Sequence, residues 1–511
     1  MSLRLFTLLA ACVLANAATL HADAFQSDFK NTHDRVWVGQ AWWANPMEDW
    51  RVHNGRLECT RSGPDRNVAL LTHEIADAGK PFEMRVRLGE RGDSKGGGTA
   101  GFRLGLRDEI DDYRAAALRG NGLNVGIRAD GMLFINQIAN RPAGVDTFPD
   151  AGFELRLKGA PDGDHVQLTL TAHDIETGKQ VFITKSRVPA QRVVGPVALV
   201  NNHFTGRGNN APRPQATFWF SDFSLTGEGV VEHADRAFGP ILWAMHTLSD
   251  SRGPDGHVMK ITAQMPPIGQ KDSQQVALQD RTSDGDWSEP IRQKIDPLSC
   301  TATFKVTKWS ASRNVPYRLT YATTRKNDAQ VTATYEGTIR RDPVDKPVVV
   351  AGFTGNQDYA FPNLEIARNV GIQNPDVLFF SGDQIYENVG GYGIIREPAE
   401  ESTLNYLRKW YLVGWAFGDL MRDRVTVCLP DDHDVYHGNI WGEGGKKMRA
   451  GGSTSSDGGY RQPAAMVNAV HRTQCDHHPD PRNPADAEPI EQGITPFYTD
   501  MVYGRVSFAL I

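Results

Sequence analysis

Two segments of the 511-residue chain each run an apolar strand directly into acidic, metal-competent side chains, residues 377–387 and 427–434. A third apolar strand, 348–353, precedes them, and helical patterns occupy residues 361–372 and 402–422. This β-α-β-α-β order predicts a parallel sheet. Because neighbouring parallel strands end at the same edge of a sheet, the polar residues that follow them are expected to meet in one crevice.

The strand ends carry the candidate ligands of a hydrolytic metal site. A divalent ion can generate hydroxide near neutral pH, and a pair of ions can clamp the attacking and leaving oxygens of a phosphoryl transfer. Asp383 is expected to bridge such a pair, and Asp432 or its neighbours would hold the second ion. His433 would donate a proton to the leaving oxygen or stabilise charge on the phosphoryl group. Further site candidates at the same strand ends are Asp431, Asp434 and Glu387.

Each motif alone also has a purely structural interpretation. Gly382-Asp383 is compatible with an ordinary turn, and the acidic run 431–434 with a solvated loop or a helix cap. Their joint position at the ends of successive strands favours the metal site. Four other histidines are interpreted as surface or core residues. They are His437, His471, His477 and His478.

The two motifs resemble those of a known family. Gly-Asp-Gln-Ile-Tyr-Glu at 382–387 and Asp-Asp-His-Asp at 431–434 are similar to the signatures of the PhoD-like alkaline phosphatases, within the calcineurin-like metallophosphoesterase superfamily. Residues 498–511 resemble the strand that follows there, so the resemblance covers about residues 346–511. It implies an α/β domain, a layered β-sandwich flanked by helices, that hydrolyses phosphate mono- or diesters.

The resemblance also implies a ligand set and a cofactor. It makes Asp383 and Tyr386 metal ligands, and it gives the pair Asp432-His433 the place of the superfamily's Asn-His. The expected cofactor is a pair of divalent metal ions, drawn from Ca, Mg, Mn, Fe and Zn, and the expected partner is a phosphoester substrate.

Two features depart from the family pattern. The family's cysteine near the end of the first strand is missing, and Asn356 and Asp358 lie in that segment instead. Oxygen ligands of this kind suit Ca²⁺, Mg²⁺ or Mn²⁺. The superfamily's later Gly-His-x-His histidines do not occur before Ile511, so this domain is expected to be truncated at its C-terminus.

The residues before this domain predict two all-β sandwiches. Residues 23–230 alternate apolar and polar side chains between turn-forming breaks and resemble concanavalin-like jelly rolls, many of which bind sugars. A carbohydrate ligand is therefore a second expected partner. The tryptophans of this region either pack in the core or form a platform for a sugar ring. They are Trp37, Trp42, Trp43 and Trp50. Residues 231–345 contain many short strands and predict an immunoglobulin-like sandwich that acts as a spacer.

Residues 1–22 predict export. They carry one basic residue, an apolar run and small residues before a cleavage point, as a secretory signal does. Lipid attachment at Cys12 is the alternative, and either places the protein in the periplasm, outside the cell or on its surface. No later stretch reaches the roughly 18 apolar residues of a transmembrane helix. The other four cysteines are widely spaced and predict isolated thiols.

Three functions remain open from the sequence. The leading one is an exported metal-dependent phosphoesterase. A glycoside hydrolase using two carboxylates is the rival enzyme, and chelation separates the two, because only the first depends on a metal. The non-enzymatic alternative is a secreted sugar-binding or adhesion protein with a degenerate metallophosphatase domain. The net charge of −6 argues against a nucleic-acid-binding surface.

Overall fold

The computed structural model describes residues 24–92, 97–136, 151–203, 216–436, 444–452 and 457–511, and the backbone of 138–140. The predicted signal segment 1–22 with Cys12 lies outside the described residues, as does His437. Within the described ranges, none of the helices is long and apolar enough to cross a membrane.

The N-terminal region, residues 24–232, contains two antiparallel sheets and a short helix. Its elements are β1 (Ala24–Gln26), β2 (Trp42–Asn45), β3 (Trp50–His53), β4 (Arg56–Cys59), β5 (Arg66–Ile75), β6 (Phe82–Glu90), β7 (Thr99–Arg107), α1 (Tyr113–Arg119), β8 (Asn121–Arg128), β9 (Leu133–Ile135), β10 (Ile138–Asn140), β11 (Phe153–Asp162), β12 (His165–Asp174), β13 (Gln180–Pro189), β14 (Gly195–Asn201), β15 (Phe218–Gly227) and β16 (Val230–Glu232). One sheet has the order β13-β12-β11-β6-β15-β4-β3, with β1 also on β15, and the other has the order β10-β9-β8-β7-β14-β5-β16, with β2 also on β5.

Alternating side chains give this region its core. In β6, Phe82, Met84 and Leu88 are buried whereas Arg85 points to solvent. Phe102 of β7, in the other sheet, belongs to the same apolar cluster. Because strand side chains alternate between the two faces of a sheet, each sheet buries one face against the other. The predicted β-sandwich is therefore observed.

The tryptophans of this region lie in the interior. Trp37 is 9% exposed, Trp42 5%, Trp43 6% and Trp50 1%. The interpretation of these residues as core is therefore correct. None of the four presents an open indole face on which a sugar ring could stack.

The next region does not form the separate immunoglobulin-like sandwich expected for residues 231–345. Its strands are β17 (Trp243–Asp250), β18 (His257–Gln264), β19 (Gln275–Asp280), β20 (Ile291–Lys294), β21 (Thr301–Val306), β22 (Val315–Thr324) and β23 (Gln330–Ile339). Strands β20-β19-β22-β23 form one sheet, whereas β21-β18-β17 continue into a six-stranded sheet with strands from beyond residue 346. The periodicity that predicts these strands marks their buried faces and carries no information about their partners.

The remaining elements complete that mixed sheet. They are β24 (Val350–Phe353), α2 (Leu364–Gln373), β25 (Val377–Phe380), α3 (Ala399–Met421), β26 (Val425–Cys428), α4 (Ala464–Cys475), β27 (Thr499–Tyr503) and β28 (Val506–Leu510). Strands β24, β25 and β26 are parallel, as the β-α-β-α-β order predicts. They do not form an α/β domain of their own, because β26 also pairs with β17 and one apolar cluster runs through both regions. Strands β27 and β28 pair with each other.

The N-terminal sandwich packs tightly on the rest of the chain. Glu48 and Arg408 of α3 form an ion pair at 3.2 Å, and their side chains are 3% and 1% exposed. Trp43 packs against Trp415 of the same helix, with ring centroids 4.7 Å apart. The spacer interpretation, in which the β regions are separate from the α/β region, is therefore not what the structure shows.

We expect Glu48→Ala to destabilise the protein by about 3–5 kcal/mol, because it leaves the buried Arg408 guanidinium without its counter-ion. Asp162→Ala is the control, since Asp162 pairs with Arg187 where both side chains are about half exposed, and it should cost at most about 1 kcal/mol. Urea unfolding of the full chain measures both. Equal losses for the two variants would show that the Glu48–Arg408 pair does not hold the regions together.

Candidate metal centre

Three of the predicted site residues converge at the carboxyl ends of the parallel strands. Phe380 of β25 lies opposite Cys428 of β26, so the loops that follow the two strands start side by side. Asp383, Asp432 and His433 each offer a ligand atom, and these atoms lie within 4.8 Å of one another. Among the described residues this is the one group of histidine, cysteine and carboxylate side chains close enough to hold a metal ion.

The glycine before Asp383 allows the two loops to touch. A Cβ added at Gly382 would lie 2.6 Å from Cβ of Asp431, and Gly382 has a φ of +117°. Asp383 itself has a φ of 53°, in the left-handed region that aspartate tolerates better than most residues. The local sequence therefore turns the chain sharply and aims the Asp383 carboxylate at the second loop.

The Asp383 carboxylate has one bonded and one unbonded oxygen. Its Oδ2 accepts a hydrogen bond from the Tyr386 hydroxyl at 3.0 Å. Its Oδ1 is buried and has no hydrogen-bond partner in the described part of the chain. Burial raises the pKa of Asp383, as do the nearby carboxylates Asp432 and Asp431, while Tyr386 and His433 oppose the rise. A buried, unpartnered carboxylate oxygen is costly unless a cation satisfies it, so the donor set fits a divalent ion.

Glu387 orients His433. Its Oε2 lies 2.8 Å from Nδ1 of His433, and the imidazole packs beside the Tyr386 ring with centroids 4.5 Å apart. Burial lowers the pKa of His433, but the hydrogen bond and charge of Glu387, together with the charges of Asp383 and Asp432, outweigh it, so that this pKa is raised overall. Because Nδ1 is bonded to Glu387, Nε2 is the nitrogen that can ligate a metal or donate a proton.

Asp434 holds the two loops together. Its Oδ1 accepts hydrogen bonds from the backbone N–H groups of Gln384 at 3.0 Å and Ile385 at 3.3 Å, and its Oδ2 accepts from the N–H of Asp431 at 2.9 Å. Gln474 of α4 donates to Oδ1 at 3.1 Å. Burial raises the pKa of this carboxyl to about 7. Asp434 thus lies outside the ligand group and supports the backbone of both loops.

The first strand end supplies no carboxylate to the ligand group. Asn356 donates its backbone N–H to the carbonyl of Asp383 at 2.8 Å, which ties the first loop to the second. Asp358 accepts from the N–H of Gly390 at 3.0 Å, and its Oδ2 lies 3.9 Å from Nη1 of Arg119. Their contacts are those of loop-positioning residues. Asp431, whose Oδ1 accepts from the N–H of Asp432 at 2.8 Å, is exposed.

The structure adds a buried lysine near the centre that sequence reasoning did not identify. Lys409 of α3 donates to the carbonyl of Gly393 at 3.2 Å, to Oδ1 of Asn405 at 3.1 Å and to the Tyr436 hydroxyl at 3.0 Å. Burial, reinforced by the charge of Arg408, lowers its pKa to about 6. The sequence contains one indication that Lys409 is buried, because this lysine lies in a helix whose neighbouring turns are apolar. Gln474, which supports Asp434, gave no such signal.

The comparisons with known proteins do not identify the chain. No family model matches the sequence, and no curated protein matches it. Among solved structures, a lectin from Bauhinia forficata in complex with GalNAc is 12% identical and has a TM-score of 0.27, with 40% of this chain and 98% of that chain covered. Arcelin-5, a lectin-like defence protein from Phaseolus vulgaris, is 10% identical, with a TM-score of 0.27 and coverage of 40% and 98%. The alginate lyase Aly36B is 11% identical, with a TM-score of 0.28 and coverage of 40% and 97%.

These matches are all-β proteins that cover less than half of this chain, and TM-scores this low give no basis for a functional assignment. The comparisons give no support to the PhoD-like resemblance, which stays a hypothesis that rests on the two motifs.

Proposed function

We propose that this protein binds a divalent cation through Asp383, Asp432 and His433 and hydrolyses phosphate esters at that site. The observation that carries the proposal is the convergence of one ligand atom from each of these three residues within 4.8 Å. One of the three, Asp383, has a buried Oδ1 without a hydrogen-bond partner among the described residues. Carboxylate oxygens and an imidazole nitrogen suit Mg²⁺, Mn²⁺, Fe²⁺ or Zn²⁺, and Ca²⁺ is favoured if carboxylates dominate. Export by residues 1–22 remains part of the proposal.

Each residue of the centre has a distinct role in this proposal. A bound cation would supply activated water and offset the negative charge of a phosphate. Asp383 and Asp432 would hold it, and Tyr386 would keep the Asp383 carboxylate in place through its 3.0 Å hydrogen bond. Glu387 fixes the ring of His433, which either ligates or passes a proton from Nε2 to the leaving oxygen.

Chelation tests the proposal against the two-carboxylate glycoside hydrolase. Carboxylates that close to one another also suit a retaining glycosidase, whose pair is about 5–5.5 Å apart and requires no metal. We expect EDTA to abolish hydrolysis of p-nitrophenyl phosphate and bis(p-nitrophenyl) phosphate, and Mn²⁺, Mg²⁺ or Ca²⁺ to restore it. Hydrolysis of an aryl glycoside that survives EDTA would favour the glycosidase and overturn the phosphoesterase.

Carbohydrate binding is the second candidate function, and a groove beside the N-terminal sandwich favours it. The groove has a volume of about 210 Å³, and aromatic and polar residues line it. Such mixtures of ring and amide or carboxylate groups are what sugar hydroxyls and ring faces bind. The residues that supply them include Phe25, Asp28, Asn31 and Gln40.

If the groove binds an oligosaccharide, Asn31→Ala should weaken that binding by up to about tenfold, the scale of one lost hydrogen bond. Titration calorimetry with ligands chosen from a glycan array measures the effect. Asn121→Ala, at an exposed position on β8, is the control. Absence of any glycan ligand, or equal affinity of both variants, would remove this candidate.

A further inference from the structure

Three buried histidines form a cluster that the candidate metal centre does not use. His246 lies on β17, and His477 and His478 follow the end of α4; their exposures are 1%, 0% and 3%. The rings of His477 and His478 are 4.8 Å apart between centroids. His246 lies beside them, within reach of the charge of His477. We call these three residues the histidine cluster.

The histidine cluster fills the gap between two strands of the mixed sheet. Strands β17 and β26 pair at a single position, His246 opposite Val425. Beyond it, Nε2 of His477 donates to the carbonyl oxygen of Thr426 at 2.9 Å, and Nε2 of His478 accepts from the N–H of Cys428 at 3.3 Å. Two imidazoles therefore take the place of backbone partners along the edge of β26.

The contact of His478 requires a neutral ring. Since His478 accepts the Cys428 N–H through Nε2, a proton on that nitrogen would set two N–H groups against each other. Four ring nitrogens of the cluster are buried without a hydrogen-bond partner among the described residues: both of His246, and Nδ1 of His477 and His478. They do not converge on one point as metal ligands do. A second proton on any of the three rings would be a buried charge without a counter-ion.

We propose that the histidine cluster is an acid-sensitive latch, which holds β26 and its loop in place while the three rings are neutral and opens when they are protonated. Strand β26 leads directly into residues 431–434, so opening would loosen the strand that anchors the loop of Asp432 and His433. This proposal does not depend on which reaction the candidate metal centre catalyses.

The surroundings of the histidine cluster give water access to it but do little to offset a positive charge on the rings. A groove of about 290 Å³ reaches His478 and gives water a route to it. Burial lowers the pKa of His246 and of His477 to about 3, and it lowers the pKa of His478 well below the usual histidine value. The titratable and charged groups around the three rings are Lys260, Tyr317, Arg340, Cys428, His471, Arg472, Cys475, Asp476, Asp480 and Tyr498. Lys260 and Arg340 oppose protonation of the rings. The carboxyls among these groups are Asp476 and Asp480, and Asp480 pairs with Lys260 at 2.7 Å.

The direction of the pH effect follows from these values. The open form binds protons with a histidine pKa of about 6.5, whereas the closed form does so only near pH 3 or below, so acid favours the open form. Stability from the latch is complete above about pH 6.5 and is lost as the pH falls towards 3. Between pH 6.5 and 5.5 the open population should rise roughly fivefold for each histidine that opens.

Two buried thiols beside the latch provide the test. Cys428 and Cys475 are 0% and 7% exposed and contact the cluster region, whereas Cys59 is 0% exposed in the core of the N-terminal sandwich. We would label the full-length protein with 4,4′-dithiodipyridine at pH 7.5, 6.5 and 5.5 and follow each cysteine by peptide mass spectrometry. The ratio of the Cys428 rate to the Cys59 rate cancels the pH dependence of the reagent and of global unfolding.

The latch predicts that this ratio rises at least fivefold from pH 6.5 to 5.5. It also predicts a flatter profile in His246→Leu, which removes two unpartnered nitrogens, and in His477→Gln, whose amide can still donate to Thr426. The control, His173→Gln, changes a partly exposed histidine of the N-terminal sandwich and should keep the wild-type profile. A wild-type ratio that does not change with pH would overturn the proposal even if a variant fails to fold. Variants with the wild-type slope would also overturn it.

Discussion

Asp383→Asn is expected to abolish metal-dependent hydrolysis and to reduce metal content to background, while the protein stays folded. Asparagine keeps the shape of the side chain and the hydrogen bond from Tyr386, but it removes the negative charge beside the unpartnered Oδ1. Losing a ligand should cost more than the roughly 10–100-fold that losing an outer-shell partner costs in metal affinity. Metal content by atomic emission, turnover of p-nitrophenyl phosphate and circular dichroism measure the three effects.

Asp358→Asn is the matched control for that variant. Asp358 follows a neighbouring parallel strand and was predicted as a ligand, but its carboxylate bonds to the N–H of Gly390 and lies near Arg119. The metal content of the Asp358→Asn variant should therefore stay close to that of the wild type. Unchanged turnover and metal content in Asp383→Asn, or equal losses in both variants, would show that the ligand group is wrong.

His433→Ala is expected to reduce turnover by about 10² to 10⁴, the usual scale for a lost general acid. The size of the loss should depend on the leaving group if His433 donates a proton. Nitrophenolate leaves without one, so the loss should be far smaller for p-nitrophenyl phosphate than for an alkyl phosphate. Steady-state kinetics with both substrates measures this difference.

Glu387→Gln separates the orientation of His433 from its presence. The ring would keep its position, but the partner of Nδ1 would lose its charge. We therefore expect a fall in the apparent pKa of the basic limb of the rate profile, where a general acid loses its proton. Similar losses on both substrates in His433→Ala would assign the residue to metal binding or charge stabilisation. Full activity in His433→Ala would exclude it from the reaction.

The sequence was sufficient to predict the strand ends that build the centre. Continuous apolar runs precede Asp383 and Asp432, and a segment with helical periodicity separates them. Two strands joined by a helix in this way usually lie parallel and side by side in one sheet. Parallel neighbours bring their following loops to one edge, so the meeting of Asp383, Asp432 and His433 needed no knowledge of the rest of the chain. The same alternation rule predicted the N-terminal sandwich and the interior tryptophans.

Longer-range pairings were not accessible in this way. The contact of His246 with Val425 joins strands about 180 residues apart in sequence, and no periodicity within either strand indicates the other. For this reason the sequence did not indicate that β17, β18 and β21 share a sheet with strands from beyond residue 346. The role of Asp434 was also missed, because its hydrogen bonds go to backbone groups of another loop and to Gln474 of a later helix. An aspartate that accepts buried hydrogen bonds and an aspartate that binds a metal are the same residue type, so the sequence alone does not distinguish them.

The most direct test of the proposed centre is the position of a metal ion in crystals grown or soaked with Mn²⁺. Anomalous diffraction should show a peak at a distance of about 2.0–2.6 Å from carboxylate oxygens of Asp383 and Asp432 and from Nε2 of His433. The peak should disappear in Asp383→Asn and remain in Asp358→Asn. A Mn²⁺-dependent enzyme whose anomalous peak lies elsewhere, with no peak between these three residues, would contradict the assignment.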